Sequence, residues 1–120
     1  YYQQLANHNK TLNITAWIDY FSDLILEAQQ KTISLINFIM RKNEIINFPG
    51  INKRQISVLK RVFKEGPNGF KGGLSASNYM SISKASRATA TRDLVDLIEK
   101  NIFFKQGDLK SARYYLKPKL

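Results

Sequence analysis

The chain has 120 residues, of which 43% are hydrophobic, and a formal net charge of +10 at pH 7. This length fits one small domain with an appendage. Cysteine is absent, which excludes disulfides and thiolate metal sites, and the single histidine, His8, cannot form a metal site alone. No apolar run approaches the roughly 20 residues of a membrane-spanning helix, and no signal-peptide pattern is present. We therefore expect a cytoplasmic part of a longer protein, without a membrane partner or a bound cofactor.

The N-terminal segment is predicted to form one long helix over residues 15–44, because apolar residues recur every three or four positions without Gly or Pro. We expect Thr15 to cap this helix. Its apolar stripe contains Trp17, Phe21 and Leu24, and it is larger than the following residues could cover. We therefore predict an interaction surface that packs on a missing N-terminal domain or on a second copy in a homodimer.

The positive charge lies in the C-terminal segment. Residues 1–50 carry four cations and four anions, whereas residues 51–120 carry fifteen cations and five anions, which is the whole excess of +10. Such an asymmetry predicts an acidic partner, with nucleic acid as the first choice. A basic, solvated surface without a partner would have the same charge and is the alternative.

After Pro49-Gly50 the pattern predicts three short helices and a hairpin. Asn52 is the expected cap of the first helix, Ser75 or Ser77 of the second, and Ser86 of the third. Residues 102–105 and 112–117 have strand character around a polar turn with one glycine.

Helices joined by a tight turn and followed by a hairpin occur in this order in a winged helix-turn-helix. A generic helical domain with a hairpin is the alternative. The predicted fold is therefore mainly α, with a helical segment over residues 1–48 and a winged helix-turn-helix domain over residues 51–120, whose wing is the small β-hairpin.

The helix after Ser86 is predicted to have a core face and a different N-terminal half. Ala90, Leu94, Leu97 and Ile98 share one face, whereas the first two turns are small, hydroxylated and cationic. Such turns can approach a groove closely and contact phosphate or a guanine edge. The candidate DNA-binding residues are Ser86, Arg87, Thr89, Thr91 and Arg92 in this helix, and Lys105, Lys110 and Arg113 in the hairpin.

The same residues allow a purely structural interpretation. The hydroxyl groups would then only cap the helix, and Arg92 would pair with Asp96, four residues further along. The two interpretations can hold together.

Several stretches resemble parts of bacterial Fic family proteins. Residues 1–29 (YYQQLANHNKTLNITAWIDYFSDLILEAQ) resemble the segment that closes the Fic domain and the helix that follows it. The appended winged-helix domain of many such proteins is similar to residues 52–66 (NKRQISVLKRVFKEG), 70–83 (FKGGLSASNYMSIS) and 86–101 (SRATATRDLVDLIEKN). The resemblance implies the C-terminal accessory part of a protein adenylyltransferase, an enzyme that transfers AMP from ATP to target hydroxyl groups.

The catalytic motifs of that family cannot be placed on this sequence. The Fic catalytic loop has the form HPFxDGNGRxxR, but His8 is followed by Asn9 and Lys10. The inhibitory helix has the form [S/T]xxxE[G/N], but the nearest approach begins with Arg61. We therefore expect a non-catalytic module that binds DNA through its winged helix and tethers or regulates the enzyme. The alternative is a protein-protein interaction module for target docking or dimerisation.

Overall fold

The structure is a computed structural model that describes Gln3 and residues 14–118. Residues 4–13, which include His8, lie outside the described residues. The described part is mainly helical, with four α-helices in residues 14–118 and a small two-stranded antiparallel hairpin near the C-terminus. None of the helices in this part is long and apolar enough to cross a membrane. The chain separates into two compact units, residues 1–37 and residues 38–120.

The first unit is represented by the N-terminal two thirds of helix α1, which runs over Ile14–Ile46. One long helix was predicted here, and this is confirmed. The expected cap was wrong, because the helix has already begun at Ile14 and Thr15 lies inside it. Among residues 14–37 no side chain is buried. This part of α1 therefore contributes no core of its own.

The second unit contains the end of α1 and all later elements. Its first residues, from Phe38 onward, include Ile45, which is fully buried in the core of this unit. The last turns of α1 therefore belong to the C-terminal unit, ahead of the boundary predicted at Pro49-Gly50. The elements that follow are α2 (Lys53–Lys64), α3 (Ala76–Ser83), α4 (Arg87–Glu99), β1 (Phe103–Gln106), a 3-10 turn (Leu109–Ser111) and β2 (Arg113–Leu116).

Polar caps define where the three shorter helices begin. The Asn52 side chain accepts a hydrogen bond from the Gln55 N–H, and the Gln55 side chain accepts one from the Asn52 N–H, each at 2.9 Å. Ser75 forms the same reciprocal box with Asn78, and Ser86 caps α4. These interactions satisfy N–H groups that have no partner inside a helix. The predicted caps Asn52 and Ser86 are confirmed, and Ser75 rather than Ser77 caps α3.

The core of the second unit draws side chains from every helix and from β1. Leu59 of α2, Tyr79 of α3, Leu94 of α4 and Phe103 of β1 are almost completely buried together. Phe38 of α1 packs edge-on against Phe63, with ring centroids 5.8 Å apart. Burial of this apolar surface is the main force that holds the unit together.

The hairpin is fastened to the rest of the second unit through its second strand. β1 and β2 pair with Phe103 opposite Leu116 and Gln106 opposite Arg113. Leu74, in the loop before α3, exchanges two 2.8 Å backbone hydrogen bonds with Tyr114. The preceding residue is Gly73, whose φ is 81° and where a Cβ atom would lie only 2.8 Å from the Tyr115 ring. Glycine is required at this position for both reasons.

Candidate nucleic-acid interface

The connection between α3 and α4 is only three residues long. α3 ends at Ser83, whose hydroxyl donates a hydrogen bond to the Tyr79 carbonyl at 2.7 Å and accepts one from the Ala85 N–H at 3.3 Å. Lys84 turns the chain in the left-handed conformation, with φ 58°, and Ser86 then caps α4. The predicted tight turn between the two helices is therefore present.

α4 buries the face that the sequence indicated. Ala90, Leu94 and Leu97 have no exposed surface, and Ile98 packs partly buried against them. Asp93 lies on this face too and is only 5% exposed, which the sequence analysis missed. A carboxylate in such a position needs partners, because burying an unpaired charge is strongly unfavourable.

The partners of Asp93 come from two other helices. Arg54 donates from Nε and from one terminal nitrogen to the two carboxylate oxygens, at 2.9 and 3.1 Å. Asn52 Nδ2 donates at 3.0 Å and the Tyr79 hydroxyl at 2.7 Å. The Gln55 side-chain amide donates to the Asp93 carbonyl at 3.1 Å. This network, which we call the Asp93 network, fixes α4 against the start of α2 and against α3.

The electrostatics of the Asp93 network favour the ionised carboxylate. Burial alone would raise the pKa of Asp93, but the hydrogen bonds from Arg54, Tyr79 and Asn52 outweigh it and lower that pKa below its usual value. The hydrogen bond to Asp93 in turn raises the pKa of Arg54. Burial, followed by the hydrogen bond to Asp93, raises the pKa of Tyr79 well above its ordinary range. At neutral pH the network therefore contains a charged pair and a neutral tyrosine.

The opposite face of α4 is exposed to solvent. It consists of Ala88, Thr91, Arg92 and Val95, which follow one another at helical spacing, and all four are exposed. Within residues 14–118 the Arg92 side chain makes no hydrogen bond or ion pair. The alternative pairing of Arg92 with Asp96 is wrong, because Asp96 binds Lys100 and accepts a 2.8 Å hydrogen bond from Gln55. These two hydrogen bonds, with that from Lys100 the stronger, lower the pKa of Asp96.

The hydroxyl groups at the start of α4 are largely used inside the helix. The Ser86 hydroxyl donates to Thr89 Oγ1 at 3.0 Å and accepts from the Thr89 N–H at 3.3 Å. Thr91 Oγ1 donates to the Arg87 carbonyl at 2.9 Å. Thr89 is half-buried, and its own proton has no acceptor among the described residues. The first turns of α4 thus present two exposed guanidinium groups, those of Arg87 and Arg92, rather than a row of hydroxyl donors.

The three predicted hairpin residues differ in how free they are. Lys110 is exposed in the 3-10 turn at the tip, and its side chain has no partner within residues 14–118. Lys105 Nζ lies 4.0 Å from a carboxylate oxygen of Asp108. Arg113 is half-buried and donates to the carbonyl of Ala112 at 3.0 Å. Lys110 is therefore the most available of the three, and β1 brings the hairpin beside α4.

The carboxylates of residues 51–118 are mostly paired internally. Asp93 and Asp96 bind cations as described above, Glu65 pairs with Arg61, and Asp108 lies near Lys105. Of the five acidic side chains in this segment, only Glu99, in the last turn of α4, has no cationic partner among the described residues. The excess positive charge is therefore left on the surface.

Lys84 is a candidate that sequence reasoning missed. It is exposed, and it lies immediately before the cap of α4 with φ 58°. A side chain in the left-handed conformation costs roughly 1–2 kcal/mol, and glycine or asparagine is the usual choice. No sequence signal marks this position, because a lysine does not predict a positive φ. Lys84 therefore adds a third exposed cation close to Arg87 and Arg92 in the chain.

The predicted interaction surface of α1 is largely exposed in the first unit, where Phe21 and Leu24 are exposed and Trp17 is half-buried. Trp17 stacks on Phe21 with ring centroids 5.5 Å apart and nearly parallel planes. Phe21 and Leu24 keep close to half of their surface in solvent. Further large apolar side chains between residues 14 and 37 are exposed to a similar degree: Ile14, Ile18, Tyr20, Ile25, Leu26, Ile33, Leu35 and Ile36.

The chain matches no protein-family model and no curated protein. Among the described residues, no group of three His, Cys, Asp or Glu side chains could hold a metal ion. What the C-terminal unit can bind is therefore inferred from its own geometry and charge.

Proposed function

We propose that residues 38–118 form a winged helix-turn-helix that binds double-stranded DNA. In this proposal α3 and α4 are the helix-turn-helix, and the β1–β2 hairpin is the wing. One observation carries it: Arg87 and Arg92 are exposed and have no ion-pair partner within residues 14–118, and they lie at the start of a helix that follows a three-residue turn. Cations that the protein leaves without carboxylate partners are suited to phosphate or guanine.

The proposed mode of binding places the exposed face of α4, from its start to Val95, in the major groove, which is wide enough for a helix. Arg92 on the exposed face would contact a base edge, and Arg87 and Lys84 would contact phosphates near the helix start. Lys110 would reach a phosphate from the wing. Glu99, at the other end of α4, would keep that end away from the phosphate backbone.

Salt-dependent DNA binding tests this proposal. We expect a dissociation constant on the order of 10⁻⁴–10⁻⁶ M for random duplex DNA at physiological salt. If about five phosphates are neutralised, log K should fall with log salt with a slope of roughly −4 to −5. Fluorescence anisotropy with a labelled duplex at several salt concentrations measures both quantities. A slope near zero, or no binding at low salt, would contradict the proposal.

A pair of double variants locates the binding face. Arg87→Gln with Arg92→Gln removes two charges from α4, and Lys60→Gln with Lys64→Gln removes two from the exposed side of α2. We expect the first pair to weaken binding much more than the second. An equal loss for both would mean that the basic charge acts without a defined face.

We propose a second function, in which helix α1 contacts another protein domain. The observation that favours it is the set of exposed apolar side chains over residues 14–37. When it packs against protein, this face would join the DNA-binding unit to a Fic-type catalytic domain, whose closing segment residues 1–29 resemble. The DNA-binding unit would then tether or regulate an adenylyltransferase. Docking of another protein, or of a second copy, is the alternative use of the same face.

Sedimentation and fluorescence test the apolar face. We expect the chain either to self-associate or to leave Trp17 accessible to iodide quenching, and Phe21→Glu to reduce any self-association. A concentration-independent monomer whose Trp17 fluorescence resists quenching would contradict this role, because the face would then be covered by the chain itself.

The non-catalytic part of the proposal has its own test. Because no residue of this chain matches the Fic catalytic loop, we expect no transfer of labelled AMP from ATP to any added protein. Labelling above a boiled control would show that the chain carries catalytic groups of its own.

A further inference from the structure

We infer that α4 selects sites in which a guanine is flanked by thymine, and that Val95 and Thr91 contact the thymine methyl groups. The inference rests on the proposed DNA binding and extends it to sequence preference. It concerns the exposed face of α4, which consists of Ala88, Thr91, Arg92 and Val95.

The first observation is the exposure of Val95 to solvent. Val95 is 47% exposed, although it is a large apolar residue on a helix whose other large apolar residues are buried or half-buried. The core of the unit makes little use of it. It lies one turn beyond Arg92 on the same face, so a groove that receives Arg92 also receives Val95.

The second observation is that the Thr91 hydroxyl group is used inside the helix. The hydroxyl proton of Thr91 is engaged by the Arg87 carbonyl at 2.9 Å, so the side chain has no free donor for a phosphate. What remains for a DNA base is a methyl group and an acceptor oxygen. The Ala88 methyl group lies one turn before Thr91, so aliphatic groups precede and adjoin Arg92 on this face.

The chemistry of this face matches some bases and not others. Arginine binds the O6 and N7 acceptors of guanine, whereas adenine is bound by asparagine or glutamine and the cytosine amino group by a carboxylate. The face contains no amide and no carboxylate from Ala88 to Val95. The C5 methyl group of thymine is the feature of the major groove that aliphatic side chains contact.

The length of the face limits the number of bases that it can read. From Ala88 to Val95 a helix rises roughly 10 Å, which corresponds to about three base pairs of DNA at ~3.4 Å each. The preferred core is therefore a guanine with a thymine within one or two base pairs, on either strand.

Replacement of thymine by uracil tests the inference, because it removes only the methyl group. Preferred duplexes are first selected from a random library with the whole chain, and each thymine in them is then replaced singly. We expect one or two positions at which uracil weakens binding about three- to fivefold, the effect of exposing one methyl-sized apolar group. Val95→Ala should abolish the uracil effect at one of these positions and leave the salt slope unchanged.

Two further arms separate the possible explanations. Val95→Thr keeps one methyl group and the shape of the side chain, so it should retain most of the uracil effect. At cytosine positions in the core, 5-methylcytosine should strengthen binding if the methyl group alone is read. If 5-methylcytosine does not strengthen binding at these positions, the preference for thymine depends on its whole edge and not on its methyl group alone.

The outcomes also separate this inference from the proposal beneath it. Salt-dependent binding without enrichment of thymine, or with no uracil effect at any position, would overturn the inference and leave DNA binding intact. Absence of salt-dependent binding would overturn both. Val95 is exposed, so Val95→Ala should fold normally, and a thermal melt of each variant verifies this.

Discussion

Residues 14–37 and residues 38–118 use apolar side chains in opposite ways. In the first region they lie along a single helix and none is buried, whereas in the second they come from four helices and a strand and form a closed core. The charges differ as well, since residues 14–37 carry three carboxylates and one lysine, and the later residues are strongly basic. Helical periodicity is thus sufficient to form a helix but not to bury it.

In the proposed function the two regions bind their partners through different forces. An exposed apolar face gains free energy from removal of its surface from water, and salt does not weaken that gain. Exposed cations gain from counterion release, which salt opposes steeply. Salt should therefore weaken binding at the basic region steeply and should not weaken binding at the apolar face.

The largest predicted effect uses the same substitution in both regions. Leu94→Ala removes a side chain with no exposed surface, whereas Leu24 is 46% exposed. We expect Leu94→Ala to lower the free energy of unfolding by about 2–5 kcal/mol, and Leu24→Ala to change it by less than about 0.5 kcal/mol. Urea denaturation followed by circular dichroism measures both. A comparable loss at Leu24 would mean that residues 14–37 are packed against something in solution.

The next effect concerns the Asp93 network. Asp93→Asn removes the charge that four donor groups share, and we expect it to lower the free energy of unfolding by about 2–3 kcal/mol. Glu99→Gln is the matched control on the same helix, since Glu99 is exposed and has no cationic partner among the described residues. A variant Asp93→Asn as stable as the control would show that the network orients α4 without stabilising it.

Acid should reveal the same network in the unchanged protein. The folded-state pKa of Asp93 lies below its usual value, and so does that of Asp96. The folded state therefore binds fewer protons than the unfolded state near pH 4, and stability contributed by these groups is present above about pH 3.9 and lost as pH falls through the folded-state pKa values. We expect the urea midpoint to fall below pH 4, and to fall less steeply in Asp93→Asn. A midpoint that changes equally in both proteins would assign the acid sensitivity to other carboxylates.

Several local features of the fold were predictable from the sequence. The helix caps Asn52 and Ser86 and the buried face of α4 follow from local rules of spacing and hydrogen bonding, and the structure has them as expected. Two strands were also predicted, from two stretches of strand character around a polar turn that contains Gly107. The caps and the buried face depend on neighbours within about four residues in the chain, and the strands pair across a short turn.

Features that depend on distant neighbours were not predictable. From the sequence alone Asp93 would be interpreted as a solvent-exposed charge on a helix, because its partners Arg54 and Tyr79 are 39 and 14 residues away in the chain. Helical spacing suggested that Arg92 pairs with Asp96, four residues further along. Lys100 lies four residues beyond Asp96, and it is Lys100 that binds Asp96. The left-handed conformation of Lys84 has no signature in its residue type. Pairing in three dimensions, rather than composition, decides which cations remain free.

A smaller effect concerns Arg92, which has no partner within residues 14–118, in contrast to Arg54, which binds Asp93. Arg92→Ala should weaken binding to a selected duplex by ~1–3 kcal/mol if Arg92 binds a base edge, and it should weaken binding to random DNA less. Because Arg92 has no partner within residues 14–118, the stability of the fold should not change. Anisotropy titrations with both duplexes measure the difference, and an equal loss on both would reassign Arg92 to a phosphate contact.

The smallest predicted effect concerns the tip of the hairpin. Lys110 is exposed and unpaired within the described residues, whereas Lys105 lies 4.0 Å from Asp108. A phosphate contact from Lys110 would be indifferent to sequence, so Lys110→Ala should weaken selected and random duplexes equally and reduce the magnitude of the salt slope by about one. Lys105→Ala is the matched control, and its slope should change less because Asp108 already neutralises part of its charge. Slopes from anisotropy at four or more salt concentrations separate the two variants.

If Lys105→Ala has the larger effect, the contact comes from the strand rather than from the tip. If neither slope changes, the hairpin does not touch DNA, and the proposed phosphate contacts are left to α4 and the turn before it.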